Sequence, residues 1–528
     1  MFSRLATLLL AIGVLALAAF AVESRSSSDA GAADIAGGVA FVYGDLPVAI
    51  DMPTSLAFGP DGRLYVTSRS AVYALTLSAG GRGVLDIETI ASGLEWVIGI
   101  AFDPTAPASP FTLYVSRQDP SATDGFEGTI SRFTAPDWQR EDVITGLPTS
   151  APMYNHLTNG IAFDADGRLY IAQGSGSDGG IGGPAGGAFY WPETPLSAAI
   201  LTADLHAPAF DGHITYDPPG PPESESVDLV SGDVSVVAPG LRNPYDLVLH
   251  SNGLIYATDN GAMGQATSLS CTETGGTTST SDELNLIEEG NYYGFPNRNR
   301  GRFDPRQCTY HTPEEGDGAD FTGPIAILPR HCSCDGIAEY TSDVFAGEMR
   351  GDLVYAEFSF GRVSRARLSD DGRSVLSTSP LSAAFSQPLD VAVAADGTIY
   401  VADFAAGLIS YLAPDAGAST PAPTPTASPA TPTPPGATPT PLAATPTASA
   451  ATPTPSAATP PGAGLGDVNC DGMINSIDAA LVLQLSSGLV ASLPCSGNAD
   501  VNVSGAVNAI DAALILQRVA GLIDHLPP

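Results

Sequence analysis

Three short segments of this chain carry side chains that could move a proton, hold an anion or bind a metal ion. Residues 155–163 contain His156, residues 240–247 contain the dipeptide Arg242-Asn243, and residues 281–296 contain the acidic pair Asp282-Glu283. A neutral imidazole accepts a proton near neutral pH, a guanidinium offers a carboxylate two parallel hydrogen bonds, and carboxylates bind hard cations such as calcium. These residue types suit a site that moves a proton beside a bound cation or anion.

The elements that would position these segments are predicted by a phrase that recurs along the chain. An alternating apolar run reaches a turn, usually Asp-Gly or Asn-Gly, and continues as Leu-Tyr-Val or a close variant. Alternation around such a turn is typical of a β-hairpin, and hairpins repeated at intervals of roughly 50 to 90 residues indicate a β-propeller. A β-sandwich with accidentally similar hairpins is the alternative. The copies are residues 56–66, 100–115, 161–171, 247–257, 337–356 and 391–402.

Composition excludes several classes of partner. The chain has 57 acidic and 21 basic residues, which gives a formal net charge of -36 over 528 residues. Nucleic acid and anionic membranes require a concentrated basic face, so neither is an expected partner. Every basic residue is an arginine, which excludes chemistry that needs a lysine amine. The length predicts more than one domain.

The N-terminus has the layout of a secretory signal peptide. Arg4 precedes an apolar run that ends near Phe20, and Ala19-Phe20-Ala21 forms a small-x-small cleavage signal. Residues 1–21 are therefore predicted to be removed and the protein to be exported to the extracellular space or cell surface. An uncleaved anchor is the alternative, although the run is shorter than the roughly 20 apolar residues of a membrane span. Residues 22–38, rich in Ser, Ala and Gly, are predicted to be disordered.

Six cysteines fit an exported, oxidised protein. Cys470 and Cys495 are expected to pair with each other. A metal site on Cys332-Ser333-Cys334 is conceivable, but the pair lacks the spacing of structural zinc ligands and disulfides are the favoured use. The sequence leaves open how the propeller cysteines pair; they are Cys271, Cys308, Cys332 and Cys334.

Residues 414–461 consist almost entirely of Pro, Thr, Ala and Ser. Such a stretch cannot bury a core, and its prolines predict a stiff, extended spacer. After it, a twelve-residue pattern that starts at Asp467 recurs at Asp500, with oxygen-bearing side chains at positions 1, 3, 5, 9 and 12 and glycine at position 6. This is the pattern of a calcium loop, in which position 7 binds through its carbonyl. The predicted ligands are Asp467, Asn469, Asp471, Met473, Asn475 and Asp478 in the first loop, and Asp500, Asn502, Ser504, Ala506, Asn508 and Asp511 in the second.

Each calcium loop is followed by an apolar helical pattern, and the repeated unit resembles a type I dockerin. The resemblance implies that residues 462–528 form a small α-helical domain that folds with calcium and docks onto a cohesin domain of another protein. Ser504 stands where an acidic residue is usual, which would weaken the second site. Calcium loops that only stabilise a small domain are the alternative.

The three polar segments, taken in order, resemble the soluble glucose/sorbosone dehydrogenase family. The tightest matches are Arg242-Asn243-Pro244 and the run from Asp282-Glu283-Leu284-Asn285 to Asn291-Tyr292-Tyr293-Gly294-Phe295-Pro296. The resemblance implies that residues 39–413 form an all-β six-bladed propeller that uses pyrroloquinoline quinone (PQQ) and calcium. It makes His156 the general base and assigns Arg242 and Asn243 to the cofactor. It also gives the cofactor's calcium the carbonyls of Gly261 and Ala262, and gives a second calcium Asp282, Glu283 and the Tyr293 carbonyl.

The chain departs from the family pattern in ways that bear on activity. Ala262 stands where proline is usual, and a Thr-, Ser- and Gly-rich insertion at residues 263–280 separates Gly261 from Asp282. The family also places a lysine on the cofactor, which this chain cannot supply. Arginine could hold the same carboxylate with a different reach. The candidates are Arg330, Arg362 and Arg365.

The expected function is that of an exported quinoprotein dehydrogenase that oxidises aldose sugars and attaches through its dockerin to a cohesin-bearing partner. A dockerin commonly accompanies enzymes of polysaccharide breakdown, which favours a carbohydrate substrate by association. Two alternatives stay open. One is a non-catalytic propeller that binds glycan or protein, and the other is a calcium-dependent lactonase or other hydrolase.

Overall fold

The computed structural model describes residues 39–415, apart from short gaps, and parts of 465–526. The gaps are residues 108–109, 120–125, 151–155, 181–192, 218–226, 264–278, 298, 301–309, 314–320, 469–473, 475, 487–491, 503–506 and 520–525. The chain divides into two compact units, Met1–Ala427 and Ser428–Pro528. The predicted signal peptide, the 22–38 segment and nearly all of the spacer lie outside the described residues, as do Cys271, Cys308 and Cys470.

The first unit contains, in its described part, six four-stranded antiparallel sheets and one two-stranded hairpin. The strands begin with β1 (Phe41–Ala49), which is followed by blade 1 with β2 (Pro53–Phe58), β3 (Leu64–Ser68), β4 (Ala71–Leu77) and β5 (Val84–Ser92). Blade 2 has β6 (Ile100–Phe102), β7 (Thr112–Gln118), β8 (Gly128–Thr134) and β9 (Gln139–Leu147). Blade 3 has β10 (Thr158–Phe163), β11 (Leu169–Gln173), β12 (Ala199–Ala203) and β15 (Ser235–Pro239), with the hairpin β13 (Thr215–Asp217) and β14 (Asp228–Ser231) inserted before β15.

The remaining blades repeat the plan. Blade 4 has β16 (Pro244–Leu249), β17 (Ile255–Asp259), β18 (Ser281–Ile287) and β19 (Ala326–Arg330). Blade 5 has β20 (Cys334–Glu339), β21 (Leu353–Glu357), β22 (Arg362–Leu368) and β23 (Val375–Ser382). Blade 6 has β24 (Pro388–Val393), β25 (Ile399–Asp403) and β26 (Leu408–Pro414), and its fourth strand is β1. Pairing of β1 with β26 closes the ring, because the first strand of the chain completes the last sheet.

Each predicted hairpin forms the first two strands of one blade, which confirms the six-bladed propeller. The turn glycines Gly62 and Gly167 have φ of 79° and 83°, the left-handed region that a side chain disfavours. The tyrosine of the recurring phrase packs against the next blade. Tyr65 contacts Phe102 with ring centroids 5.0 Å apart, and Tyr400 contacts Phe58 at 5.7 Å. The repeated phrase therefore encodes both the hairpin and its contact with the neighbouring blade.

The inner strands surround a tunnel whose cavity measures about 270 Å³. Two carboxylates on its wall join neighbouring blades. Asp246 of blade 4 accepts a hydrogen bond from the Ile337 amide of blade 5 at 3.1 Å, and Asp390 of blade 6 accepts from the Leu56 amide of blade 1 at 2.8 Å. A Cβ atom on Gly160 would lie 2.0 Å from an Asp246 oxygen, so glycine at that position makes room for the carboxylate.

A rise in pH is expected to destabilise the propeller through Asp390. Burial raises the pKa of this carboxyl from 3.8 to about 6, so the folded state binds more protons than the unfolded state between these values. Its contribution to stability is therefore complete below the unfolded pKa and is lost as the pH rises through the folded pKa. Between these two pKa values, the thermal midpoint should fall as the pH rises, and it should fall less steeply in Asp390→Asn than in the wild type. Identical slopes for the two proteins would contradict the assignment.

The second unit contains, in its described part, two α-helices, α1 (Ser476–Ser486) and α2 (Ala509–Val519). Each begins at one of the two repeated loops, and buried Val482 and Ile515 belong to a shared core. Asp478 and Asp511, at position 12 of each loop, are buried and reach back to backbone amides, with Asp478 accepting from Val468 at 2.9 Å. The predicted small α-helical domain is confirmed. Cys495 is disulfide-bonded.

The remaining predicted loop ligands fall into two groups. Asp467, Asp500, Asn502 and Asn508 are described, whereas Asn469, Asp471, Met473, Asn475, Ser504 and Ala506 lie outside the described residues.

Candidate functional site

Polar residues from blades 3, 4 and 5 meet at one end of the tunnel. Inner strands begin and second strands finish at this end, because neighbouring strands run antiparallel. Segments that are far apart in sequence therefore converge here. We call the group the polar cluster; it consists of His156, Asp178, Arg242, Asp259, Asp282 and Asp335, all of them buried.

His156 immediately precedes the inner strand of blade 3 and is only 4% exposed. Its Nδ1 lies 3.0 Å from the Ser175 carbonyl oxygen and 2.9 Å from Ser175 Oγ. A carbonyl can only accept, and Ser175 Oγ donates its own proton to the Ser177 carbonyl at 2.6 Å. Nδ1 therefore carries the imidazole proton, and Nε2 is the basic nitrogen. Burial, reinforced by the charge of Arg242, holds the pKa of His156 well below 6.5, so the ring is neutral at pH 7.

The loop that holds Ser175 is fixed by a buried carboxylate that sequence reasoning missed. Glu193 accepts from the Ser177 amide at 2.9 Å, from the Ser177 hydroxyl, and from Ser197 Oγ at 2.6 Å. Burial raises the pKa of Glu193. The sequence did carry a signal for the loop itself. Ser175, Ser177 and Asp178 follow the second strand of blade 3 just as residues 260–262 follow the second strand of blade 4.

Arg242 is held by several acceptors. Its Nη2 lies 2.5 Å from Asp178 Oδ1, its Nε donates to the Asp178 carbonyl at 3.2 Å, and its Nη1 donates to the Asn260 carbonyl at 3.0 Å. The Arg242 amide donates to Asp259 Oδ2 at 2.9 Å. This network fixes the guanidinium beside His156, whose pKa it lowers.

Asn243 joins blades 3 and 4. Its Oδ1 accepts from Asn159 Nδ2 at 2.9 Å, and its Nδ2 donates to Asn260 Oδ1 at 3.0 Å. The Asn243 amide donates to Asp259 Oδ1 at 2.6 Å, so one carboxylate fixes the backbone of both Arg242 and Asn243. The structure thus brings three sequence-predicted residues, His156, Arg242 and Asn243, into one network.

The segment that was predicted to bind the cofactor's calcium lies beside this network. Gly261 and Ala262 follow β17 and are buried. The Gly261 amide donates to Asp282 Oδ1 at 3.0 Å, and the Ala262 amide donates to Thr280 Oγ1 at 2.7 Å. The inserted residues 264–278 lie outside the described part of the chain, but Thr280 returns directly to Ala262 through an amide-to-carbonyl bond of 3.0 Å.

Asp282 and Glu283 make their contacts on opposite faces of one strand. They are neighbours in β18, and successive side chains of a strand project to opposite faces. Asp282 joins the polar cluster, whereas Glu283 accepts from Asn285 Nδ2 at 2.6 Å. Burial raises the pKa of Tyr293, and the charges of Glu288 and Glu283 add to the rise. The two carboxylates therefore lie on opposite faces of β18, and the calcium site predicted for the pair stays a prediction.

The arginines considered as replacements for the family's lysine are dispersed. Arg362 lies at the cluster's end of blade 5, where its Nε donates to Glu357 at 2.6 Å. Arg365 lies toward the opposite end of that sheet, where its Nε donates to Asp352 at 2.7 Å, so it does not reach the polar cluster. Arg330 ends the exposed strand β19 opposite Ser281.

The charges of the polar cluster fit a hard cation. The cluster as defined holds four carboxylates against one guanidinium, and oxygen donors are what calcium prefers. Burial raises the pKa of Asp259 to about 7 and raises that of Asp335 strongly, in part through Asp282. The buried Tyr245 hydroxyl, which faces the charge of Asp335, has no hydrogen-bond partner among the described residues. An anionic quinone beside these carboxylates would need a bound cation to offset their charge, with Arg242 as the guanidinium of the cluster.

A second group of oxygen donors lies on the other face of β18. Asn285 Oδ1 is buried without a hydrogen-bond partner in the described part of the chain, two residues from Glu283 on the same face. A buried amide oxygen of this kind, next to a carboxylate, suits a calcium ion.

Two family models match the chain. The Glucose / Sorbosone dehydrogenase model matches residues 50–409, and the Dockerin type I domain model matches residues 465–520. The chain is 25% identical over 276 residues to quinoprotein glucose dehydrogenase B of Acinetobacter calcoaceticus, a match that covers 47% of this chain and 51% of that protein. It thus spans about half the length of this curated relative.

The solved structures to which the chain is similar include two aldose sugar dehydrogenases. The PQQ-bound enzyme of Streptomyces coelicolor is 19% identical, with 73% of this chain and 99% of that chain covered and a TM-score of 0.47. The apo enzyme of Escherichia coli is 18% identical, with 71% and 99% covered and a TM-score of 0.49.

Proposed function

Because the chain belongs to the glucose/sorbosone dehydrogenase family over residues 50–409, we propose that it is an exported, calcium- and PQQ-dependent dehydrogenase that oxidises aldose sugars. The observation that supports this most is the state of His156, a neutral imidazole whose Nδ1 proton is fixed by Ser175. A base must be unprotonated and oriented when substrate arrives, and His156 meets both conditions.

His156 would act on the anomeric hydroxyl of the sugar. PQQ, when bound, supplies an acceptor for the hydride of the same carbon. Nε2 takes the hydroxyl proton, so the sugar loses a proton and a hydride and becomes a lactone. The imidazolium that results is stabilised on its Nδ1 side by the two Ser175 oxygens, and Arg242 favours return of the proton to solvent because the two cations repel.

The residues proposed to hold the cofactor and ions lie in and beside the polar cluster. Arg242 and Asn243 would bind the quinone's oxygens. Arg362, at the cluster's end of blade 5, is the proposed replacement for the family's lysine. The carbonyls of Gly261 and Ala262 would hold the cofactor's calcium. A second calcium would lie on the opposite face of β18; its proposed ligands are Glu283, Asn285 and the Tyr293 carbonyl.

The dockerin would deliver the enzyme to a cohesin-bearing partner, and the signal peptide would export it. No helix in the described part of the chain is long and apolar enough to cross a membrane. A dehydrogenase held beside polysaccharide-degrading enzymes would receive the aldoses they release.

Reconstitution tests the proposed function. The purified chain, incubated with PQQ and calcium, is expected to reduce an artificial acceptor dye when an aldose is added, and neither PQQ nor calcium alone should suffice. Arg242→Ala should raise the PQQ concentration needed for half-maximal activity at least tenfold, since it removes a charge-assisted donor worth about 1.5–3 kcal/mol. Absence of dye reduction with any aldose would contradict the proposal. Calcium-dependent hydrolysis of a lactone without added quinone would instead favour the hydrolase that the acidic cluster could also serve.

A further inference from the structure

We propose that Asp282 and the disulfide-bonded turn at residues 331–334 form a clasp that positions the Gly261–Ala262 backbone, so that Asp282 is a positioning residue and not a calcium ligand. This inference rests on the proposed function, because Gly261 and Ala262 are the segment assigned to the cofactor's calcium. The clasp itself is defined by contacts that do not depend on PQQ.

The Asp282 carboxylate joins two segments that come from different blades. Oδ1 accepts from the Gly261 amide at 3.0 Å, and Oδ2 accepts from the Cys334 amide at 3.1 Å. The side chain is buried at 2% exposure. Since each oxygen is bonded to a different backbone, a displacement of the Cys334 turn is passed through one carboxylate to Gly261.

The turn on the far side of this carboxylate is constrained and strained. Cys332 and Cys334 form a disulfide, and the residues before and between them, His331 and Ser333, have φ of 55° and 44°. Non-glycine residues rarely adopt this left-handed region, so the backbone must be held there by its surroundings. The Ser333 carbonyl accepts from the Phe358 amide at 3.0 Å, which fixes the turn to the loop after β21.

A metal site is not what these atoms form. The carboxylate of Asp282 and the sulfurs of Cys332 and Cys334 lie within 4.8 Å of one another. The sulfurs are bonded to each other, so they cannot act as thiolate ligands. Both cysteines are fully buried against the core of blades 4 and 5, which suits a structural disulfide.

The Gly261 backbone has little room to move once Asp282 holds it. A Cβ atom at this position would lie 2.2 Å from the Ser281 carbonyl oxygen, so the backbones at Gly261 and Ser281 approach to a distance that only glycine allows. The preceding residue is fixed as well, because Asn260 Nδ2 donates to the Cys334 carbonyl at 3.2 Å and the Asn260 carbonyl accepts from Arg242. The disulfide turn is therefore joined to Gly261 through Asp282, and it contacts Asn260, the residue before Gly261, directly.

Hydrogen exchange of the full chain, followed by mass spectrometry with and without calcium, tests the clasp. In Asp282→Asn and in the double variant Cys332→Ser/Cys334→Ser, peptides covering residues 259–263 and 331–336 should exchange faster than in the wild type even without calcium. The calcium concentration that half-protects residues 259–263 should rise about tenfold, the lower end of the usual loss when a residue behind a metal ligand is replaced. Asp370→Asn, an exposed carboxylate of the propeller outside both peptides, is the matched control and should leave exchange at 259–263 unchanged.

The outcomes are distinguishable. The clasp would be overturned if, without calcium, both variants exchanged residues 259–263 at the same rate as the wild type. If Asp282→Asn changed the exchange rate only in the presence of calcium, Asp282 would be a calcium ligand. If the double serine variant does not fold, Asp282→Asn alone decides between these results. Failure of the proposed calcium site would show separately, as absence of calcium protection at 259–263 in the wild type.

Discussion

Replacement of His156 by glutamine is expected to lower kcat for aldose oxidation by about a thousandfold, within the range for loss of a general base. Glutamine has no basic nitrogen, so the hydroxyl proton would have no acceptor at the position of Nε2. PQQ and calcium binding should change less than kcat, because the acceptors that fix Arg242, namely Asp178, Asp259 and the Asn260 carbonyl, stay in place, as does the Asp282 contact to Gly261. Dye reduction, measured with saturating PQQ and calcium, gives the result.

His213→Gln is the matched control for this variant. His213 lies at the exposed edge of the inserted hairpin and bonds Thr145 at 3.0 Å, far from the polar cluster in the chain's topology. Its replacement should leave kcat unchanged. The wild-type acid limb should lie well below pH 6.5, since the pKa of His156 is lowered by burial. A His156→Gln enzyme with wild-type kcat would remove the imidazole from the mechanism.

Removal of calcium is expected to unfold the second unit and abolish cohesin binding. Its two helices each begin at a predicted calcium loop, and the core they share is small. The buried carboxylates of Asp478 and Asp511 would then lack the charge that offsets their burial. At a calcium concentration a thousand times the Kd, each site adds about 4 kcal/mol to stability, which the helices would lose on chelation. Exchange of residues 476–486 and 509–519, with capture on an immobilised cohesin, measures both effects.

The double variant Asp478→Ala/Asp511→Ala should reproduce the effect of chelation in the presence of calcium. Asp370→Asn, an exposed carboxylate of the propeller, controls for the loss of charge and should bind cohesin as the wild type does. Helices that stay protected in excess chelator, with cohesin still bound, would show that the loops serve neither folding nor docking.

The sequence by itself determined the local structure and the division into domains. A hairpin is specified by residues close together in the chain, such as the alternation around Asp61-Gly62, and a calcium loop is specified by twelve consecutive residues. Both signals recur, six times and twice, so chance matches are improbable and the fold could be predicted. His156, Arg242 and Asn243 could also be predicted, because each lies one or two residues before an inner strand and so at the same end of the tunnel.

Only the tertiary structure decided which distant residues share a site and which neighbours do not. Asp178 and Asp335 join the cluster because blades 3 and 5 pack on either side of blade 4, which brings together segments that are far apart in the sequence. Asp282 and Glu283 are separated by the alternation of a strand that was predicted only as part of a motif. Arg365 is placed out of reach because its register in β22 turns it toward Asp352. Contacts between blades depend on the register of each strand and on how the blades pack together. No local sequence pattern specifies either of these.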